Sequence, residues 1–269
     1  MKTLNMEEIH EVALGILKKI DEITAKLDLQ YFLAYGTLIG AVRDHGFIPW
    51  DDDVDIMMFR KDYDIFAEYC ISHEKEISPY RLCSLKTNPD YPHMIDRLCD
   101  SRYPIRVKNE VPCGQGVFVD IYPLDGMGSD LKALQPVIKK CHRLADRDFW
   151  STRVHFEIPG KWYRTPDKFI RYCLAKYRGK EYFEKQLAAM GELFDFEDSK
   201  YIGVITWGTD MMYFDKRLFR RAIRMQFQDF QAPVPVGYDR ILKKLYGDYK
   251  KLPPQKKRRA QHHYLAYKK

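Results

Sequence analysis

Four aspartates fall within five residues, in Trp50-Asp51-Asp52-Asp53-Val54-Asp55-Ile56, and the apolar run Ile56-Met57-Met58-Phe59 follows at once. An ordinary strand does not tolerate this, because aspartate has low strand propensity and like charges this close repel. Pro49 biases Ile48 toward extended backbone, so Asp51–Met58 is expected to run as a strand. Side chains alternate along a strand, which puts Asp51, Asp53 and Asp55 on one face, about 7 Å between successive members. Carboxylates so placed can converge on one or two hard cations through oxygen ligands. The competing reading is a solvated acidic turn, or a set of caps for the next helix. The apolar strand after the aspartates and the Gly-Thr turn before them argue against it.

Gly36-Thr37 ends a short aromatic run, Tyr31-Phe32-Leu33-Ala34-Tyr35, that reads as a buried strand, and Leu38–Val42 reads as the start of a helix. A glycine at such a turn lets a ligand approach the backbone, and a helix N-terminus offers N–H donors to phosphate. Asp120 lies in Phe118-Val119-Asp120-Ile121-Tyr122, inside an alternating run over 116–122. Burying a bare carboxylate among apolar neighbours is costly. Asp120 therefore has either a salt bridge to an arginine or a part in the chemistry, as a third metal ligand or a general base.

The 269 residues suffice for one large domain or a core with an appended lobe, and 45% hydrophobic residues can build a sizeable core. No run approaches a membrane span, and the first residues, MKTLNMEEIHEV, have no signal-peptide core, so an intracellular protein is expected. The six cysteines lie far apart without zinc-ligand spacing and read as reduced, structural thiols. A net charge of +7 includes a basic tail with Lys243–Lys244, Lys250–Lys251, Lys256–Lys257–Arg258–Arg259 and Lys268–Lys269. Such a surface suits polyanions or is simply solvated.

Helical spacing over 4–27, with Asn5 as N-cap and Glu8 completing a capping box, predicts an amphipathic helix. Tyr63, Phe66, Ala67 and Cys70 predict another, and Arg81–Leu85 and Met94–Leu98 read as strands. Beyond Asp125-Gly126 the segments near 130–148, 167–191 and 215–227 read as Lys/Arg-rich helices with apolar stripes. The expectation is an α+β core over 1–127 and a helical, basic C-terminal lobe over 128–269 that completes the site.

The run Gly36-Thr37-Leu38-Ile39-Gly40-Ala41-Val42-Arg43, followed by Gly46-Phe47-Ile48-Pro49-Trp50-Asp51-Asp52-Asp53-Val54-Asp55-Ile56, closely resembles the signature of the LicD family. These are phosphocholine transferases related to fukutin and fukutin-related protein, within the nucleotidyltransferase-fold superfamily. Asp120-Ile121-Tyr122-Pro123-Leu124-Asp125-Gly126 matches a second block of that family. A third comprises Phe227, Pro233-Val234-Pro235, Tyr246-Gly247-Asp248-Tyr249, Pro253-Pro254 and His262-His263. The resemblance spans roughly residues 30–265 and is faint over 130–215.

The resemblance implies a nucleotidyltransferase-like mixed sheet flanked by helices. Gly36 and Thr37 would hold donor phosphate. Asp53 and Asp55 would bind Mg2+, with Mn2+ as the alternative, Asp51 and Asp52 as nearby candidates, and Asp120 as the third carboxylate. The implied donor is CDP-choline or a related CDP-alcohol: an acceptor hydroxyl attacks the phosphorus bearing choline, and CMP leaves. Arg43 and Arg97 are candidate phosphate clamps, each equally able to pair with a structural carboxylate. A choline head group calls for aromatic faces. Trp207 is the first candidate among Trp150, Trp162, Tyr163, Trp207 and Tyr213, and His262 and His263 are candidates for a phosphate contact. The implied acceptor is a cell-envelope glycan, a teichoic acid precursor or lipopolysaccharide sugar. If lipid-linked, it would place a cytoplasmic enzyme at the inner membrane face, in peripheral contact, although the sequence shows no evident amphipathic anchor. A nucleotidyltransferase acting on a small molecule shares the carboxylates and differs in releasing pyrophosphate. A basic nucleic-acid-binding protein is disfavoured, because no such motif is present and four aspartates would repel a phosphate backbone.

Overall fold

The computed structural model describes residues 2–158, 165–205, 213–260 and 264–268. A two-residue strand β1 (Lys2–Thr3) leads into helix α1 (Met6–Leu27), which forms where the apolar spacing predicts it. Asn5 accepts from the Glu8 N–H at 2.9 Å and the Glu8 carboxylate accepts from the Asn5 N–H at 2.8 Å, so two orphan donors of the first turn are satisfied. The helix buries Ala13, Ile16, Leu17, Ile20 and Ile23.

Strand β2 (Tyr31–Leu33) is followed by the short helix α2 (Tyr35–Ile39), a π-helical turn over Gly40–Asp44, and strand β3 (Asp55–Phe59). Helix α3 (Arg60–Ser72) buries Tyr63, Phe66, Ala67 and Cys70, and a one-turn helix α4 (Glu74–Ile77) leads into β4 (Tyr80–Cys83). The long strands β5 (Asp96–Val107) and β6 (Gly116–Gly126) follow, the latter buried on both faces. With strand β11 (Tyr264–Lys268) they form a mixed sheet in the order β1-β11-β5-β6-β3-β2, with β3 and β6 parallel and the other pairs antiparallel. Strand β4 adds to β5, and β7 (Tyr201–Gly203) with β8 (Tyr213–Asp215) extends the sheet from the end of β6.

The two faces of this sheet differ. Tyr63 of α3 hydrogen-bonds Asp96 on β5, and Lys26 of α1 reaches Tyr69 of α3, so both helices cover one face. Alternation turns the next residue, Arg97, and its register partner Asp120 to the opposite face.

Beyond β6, helices α5 (Leu131–Thr152), α6 (Thr165–Arg178) and α7 (Lys180–Gly191) pack around their own apolar cluster, which includes Leu134, Cys141, Leu144, Phe183 and Leu187. The helix expected over 215–227 does not form. A 3₁₀ turn at Lys216–Phe219 gives way to β9 (Ala222–Phe227), which pairs with β10 (Phe230–Pro235). Ile223, Met225 and Phe227 alternate with Ala222, Arg224 and Gln226, a period of two that the shorter stripe concealed. Helix α8 (Tyr238–Tyr246) ends at Gly247, whose φ of 66° is the left-handed cap that favours glycine. All six cysteines are free thiols, five buried and Cys173 exposed. Among the described residues no helix is long and apolar enough to cross a membrane.

Two buried carboxylates outside the acidic segment are pushed upward mainly by burial, Asp96 to about 6 and Asp148, on α5 beside Glu184, to about 7. Each binds its proton more tightly folded than unfolded. The stability this gives is present at mildly acid pH and lost as pH rises through the folded value. The fold is expected to resist urea better at pH 5.5 than at pH 8. Asp148→Asn should flatten that difference, and an unchanged slope in the variant would refute the assignment.

Candidate active site

The parallel pairing of β3 with β6 sets Asp55 directly beside Asp120 in register. Asp53, in the approach to β3, completes a trio whose carboxylate oxygens lie within 4.8 Å of one another. Asp51, Asp52 and Asp53 form a second such trio. The expected strand over Asp51–Met58 begins only at Asp55. The residues before it follow irregular backbone, so Asp52 is gathered with its neighbours instead of being turned to the opposite face. Asp52, Asp55 and Asp120 are buried.

Hydrogen bonds from four elements pin the backbone of this segment. The Asp55 N–H donates to Thr37 Oγ1 at 2.9 Å, and the Asp120 N–H donates to the Val54 carbonyl at 2.8 Å. His10 Nε2 of α1 lies 2.7 Å from the Asp51 carbonyl, its ring stacked on Phe47 at 4.1 Å. The Tyr264 hydroxyl of β11 donates to the Asp52 carbonyl. Gly36 and Thr37 lie in the first turn of α2, one residue after Tyr35, whose φ of 43° is strained for a residue with a side chain. A Cβ on Gly36 would stand 2.3 Å from Asp51 Oδ2, so only glycine lets that carboxylate lie against α2.

Burial raises the Asp55 pKa first, then the charges of Asp53, Asp120 and Asp51, while a hydrogen bond from Tyr122 works against them. Asp55 Oδ1 is nonetheless buried with no hydrogen-bond partner. An oxygen left bare among like charges lacks a positive partner, and oxygen donors this close suit a hard divalent cation. The residues fit such an ion.

Arg97 is buried and spent on this site. Its Nε donates to Asp120 Oδ1 at 2.6 Å, its Nη1 to Gln115 Oε1 at 2.7 Å, and its guanidinium lies 3.8 Å from the centre of the Phe118 ring. Arg43 donates to Asp44 at 2.7 Å and to the Tyr249 carbonyl at 3.3 Å, joining the π-helical turn to the end of α8. In the structure both arginines therefore face protein acceptors. Trp207, Trp162, Tyr163, His262 and His263 lie outside the described residues. Trp150 is buried among α5–α7, and Tyr213 lies under Lys244 at 3.6 Å.

Sequence reasoning missed the tyrosines around the carboxylates. The charges of these aspartates raise the pKa values of Tyr35, Tyr122, Tyr246 and Tyr264, after burial. Tyr122 and Tyr246 sit in blocks noted in the sequence. Tyr264 could not have been found there, because it reaches the site through strand pairing 212 residues along the chain from Asp52.

Residues 28–125 match the family model described as LicD/FKTN/FKRP, nucleotidyltransferase domain. Over 99% of both chains the protein is 29% identical to the lipopolysaccharide cholinephosphotransferase LicD of Haemophilus influenzae. A 47-residue stretch is 43% identical to an uncharacterised protein of Rickettsia prowazekii, covering 18% of each chain. The same figures hold for one of Rickettsia typhi, covering 15% of that protein.

Thr37→Val leaves the Asp55 amide buried without an acceptor and is expected to cost about 1–3 kcal/mol in urea unfolding. Thr37→Ser should retain most of that stability. Equal losses in the two variants would remove the hydroxyl from this account.

Proposed function

We propose that the chain acts as a member of the LicD family, which its residues 28–125 match, and transfers phosphocholine from CDP-choline to a hydroxyl of a cell-envelope glycan precursor, of lipopolysaccharide or teichoic acid type, releasing CMP. The observation that carries this reading is the carboxylate trio with one bare buried oxygen, set in a chain that aligns end to end with a cholinephosphotransferase.

In the reaction the acceptor oxygen bonds to the phosphorus bearing choline, the bond from that phosphorus to the bridging oxygen breaks, and the electron pair leaves with CMP. Asp53, Asp55 and Asp120 would hold Mg2+ or Mn2+, with Asp51 and Asp52 close by, and the bound ion would neutralise charge on the bridging phosphates. Arg97 fixes the Asp120 carboxylate through Oδ1, while Oδ2 is held only at 3.5 Å. Asp120 Oδ2 is the oxygen we assign to receive the acceptor's proton. Gly36 and Thr37 position donor phosphate against the acidic segment. Tyr246, 45% exposed and close enough for the charges of Asp51, Asp53 and Asp55 to raise its pKa, offers a ring for the choline ammonium. A lipid-linked acceptor would bring the enzyme to the cytoplasmic membrane face.

The test is CMP release from CDP-choline with magnesium and a cell-envelope glycan fraction, together with the mass of the acceptor. Asp53→Asn and Asp55→Asn should each lower the rate at least about a hundredfold with the fold intact. EDTA should abolish turnover and added magnesium restore it. Turnover of CDP-ribitol in place of CDP-choline would keep the mechanism and change the transferred alcohol. Pyrophosphate released from CTP, with no CMP from any CDP-alcohol, would overturn the reaction.

A further inference from the structure

Helix α6 has one side in the protein and an apolar side outside it. Ala175 is buried and the Tyr172 ring lies 6.3 Å from that of Trp150, which fixes the inner side. On the outer side Ile170 is 57% exposed, Leu174 58% and Tyr177 88%, with Phe169 at 49%. Residues three and four apart stand one above another on a helix, so Ile170, Leu174 and Tyr177 form a single stripe, with Phe169 beside it and packed on Phe156 at 5.2 Å. Ile158, 76% exposed, precedes it in the chain. The apolar stripe expected over 167–191 is buried on α7 at Phe183 and Leu187 and faces outward on α6 at Ile170 and Leu174.

The charge around the stripe is one-sided. Residues 131–191 carry fourteen Lys and Arg against six Asp and Glu. Arg171 and Arg178 flank the apolar residues on α6 itself, and Arg171 pairs with the exposed Asp167 at 2.9 Å and with Asp146 at 3.4 Å. We propose that this face of α6 docks on an anionic lipid surface, its apolar side chains entering the interface between head groups and chains while the flanking cations meet lipid phosphates. A second copy of the chain is a poor occupant, because two-fold pairing would set one basic face against another. Nucleic acid would satisfy the cations and leave the apolar stripe in water.

The test is co-sedimentation of the full chain with vesicles of phosphatidylcholine alone and of phosphatidylcholine with one quarter phosphatidylglycerol. Binding is expected to the mixed vesicles only and to weaken with salt. Ile170→Ser with Leu174→Ser should reduce partitioning at least about tenfold while circular dichroism and the melting temperature stay unchanged. Converting Lys250, Lys251, Lys256 and Arg258 of the basic tail to Gln should leave most of the binding. Undiminished binding in the double serine variant, or loss in the tail variant alone, overturns the proposal. So does light scattering that shows a dimer which the serine variant dissolves. The readout is vesicle binding, so its failure is distinct from failure of the transferase reading.

Discussion

Four carboxylates crowded into one turn of chain repel one another, and much of the surrounding structure holds their backbone in place against that repulsion. The pins come from α1, α2, β6 and β11, elements that span nearly the whole sequence. None of them neutralises a carboxylate. They fix the peptide groups between the carboxylates. Asp125, also buried, has its oxygens taken up by Arg60 at 2.6 and 3.0 Å. The contrast is with Asp55, whose buried Oδ1 has no hydrogen-bond partner.

Arg97 marks the border between the two. Its neighbour in the chain, Asp96, faces the helices and bonds Tyr63, while Arg97 itself faces the site and clamps Asp120. One step along a strand thus passes from packing to chemistry, as the two-residue period of β5 requires. Arg97 is better placed to orient a carboxylate than to grip a substrate phosphate. Gln115 and the Phe118 ring occupy its remaining faces.

The sequence was most legible where one physical signal dominated. Helix α1 was readable from its apolar period and capping box, α3 from four core positions, and β6 from alternation. The acidic segment and Asp120 stood out because no fold accepts such charges without a reason. What escaped was non-local. Strands β1 and β11 are two and five residues long and exist only through pairing with each other and with β5. Strand β9 reads as a helix from sequence because six residues do not separate a period of two from 3.6 when arginine and glutamine intervene. That Asp52 lies with Asp51 and Asp53 follows from irregular backbone ahead of β3, which a strand rule cannot foresee.

Charge is distributed unevenly along the chain. Residues 1–130 hold fourteen Lys and Arg against twenty-three Asp and Glu, the reverse of the balance over α5–α7 and of the C-terminal tail. Four of the six arginines in the acidic part pair with an aspartate: Arg60 with Asp125, Arg97 with Asp120, Arg102 with Asp100 and Arg43 with Asp44. Free cations among the carboxylates would pair with them and compete with a metal ion for the same oxygens. Keeping the uncommitted positive charge on separate helices and on the tail avoids that competition. The acidic segment and the basic surfaces thus lie on different elements of the fold.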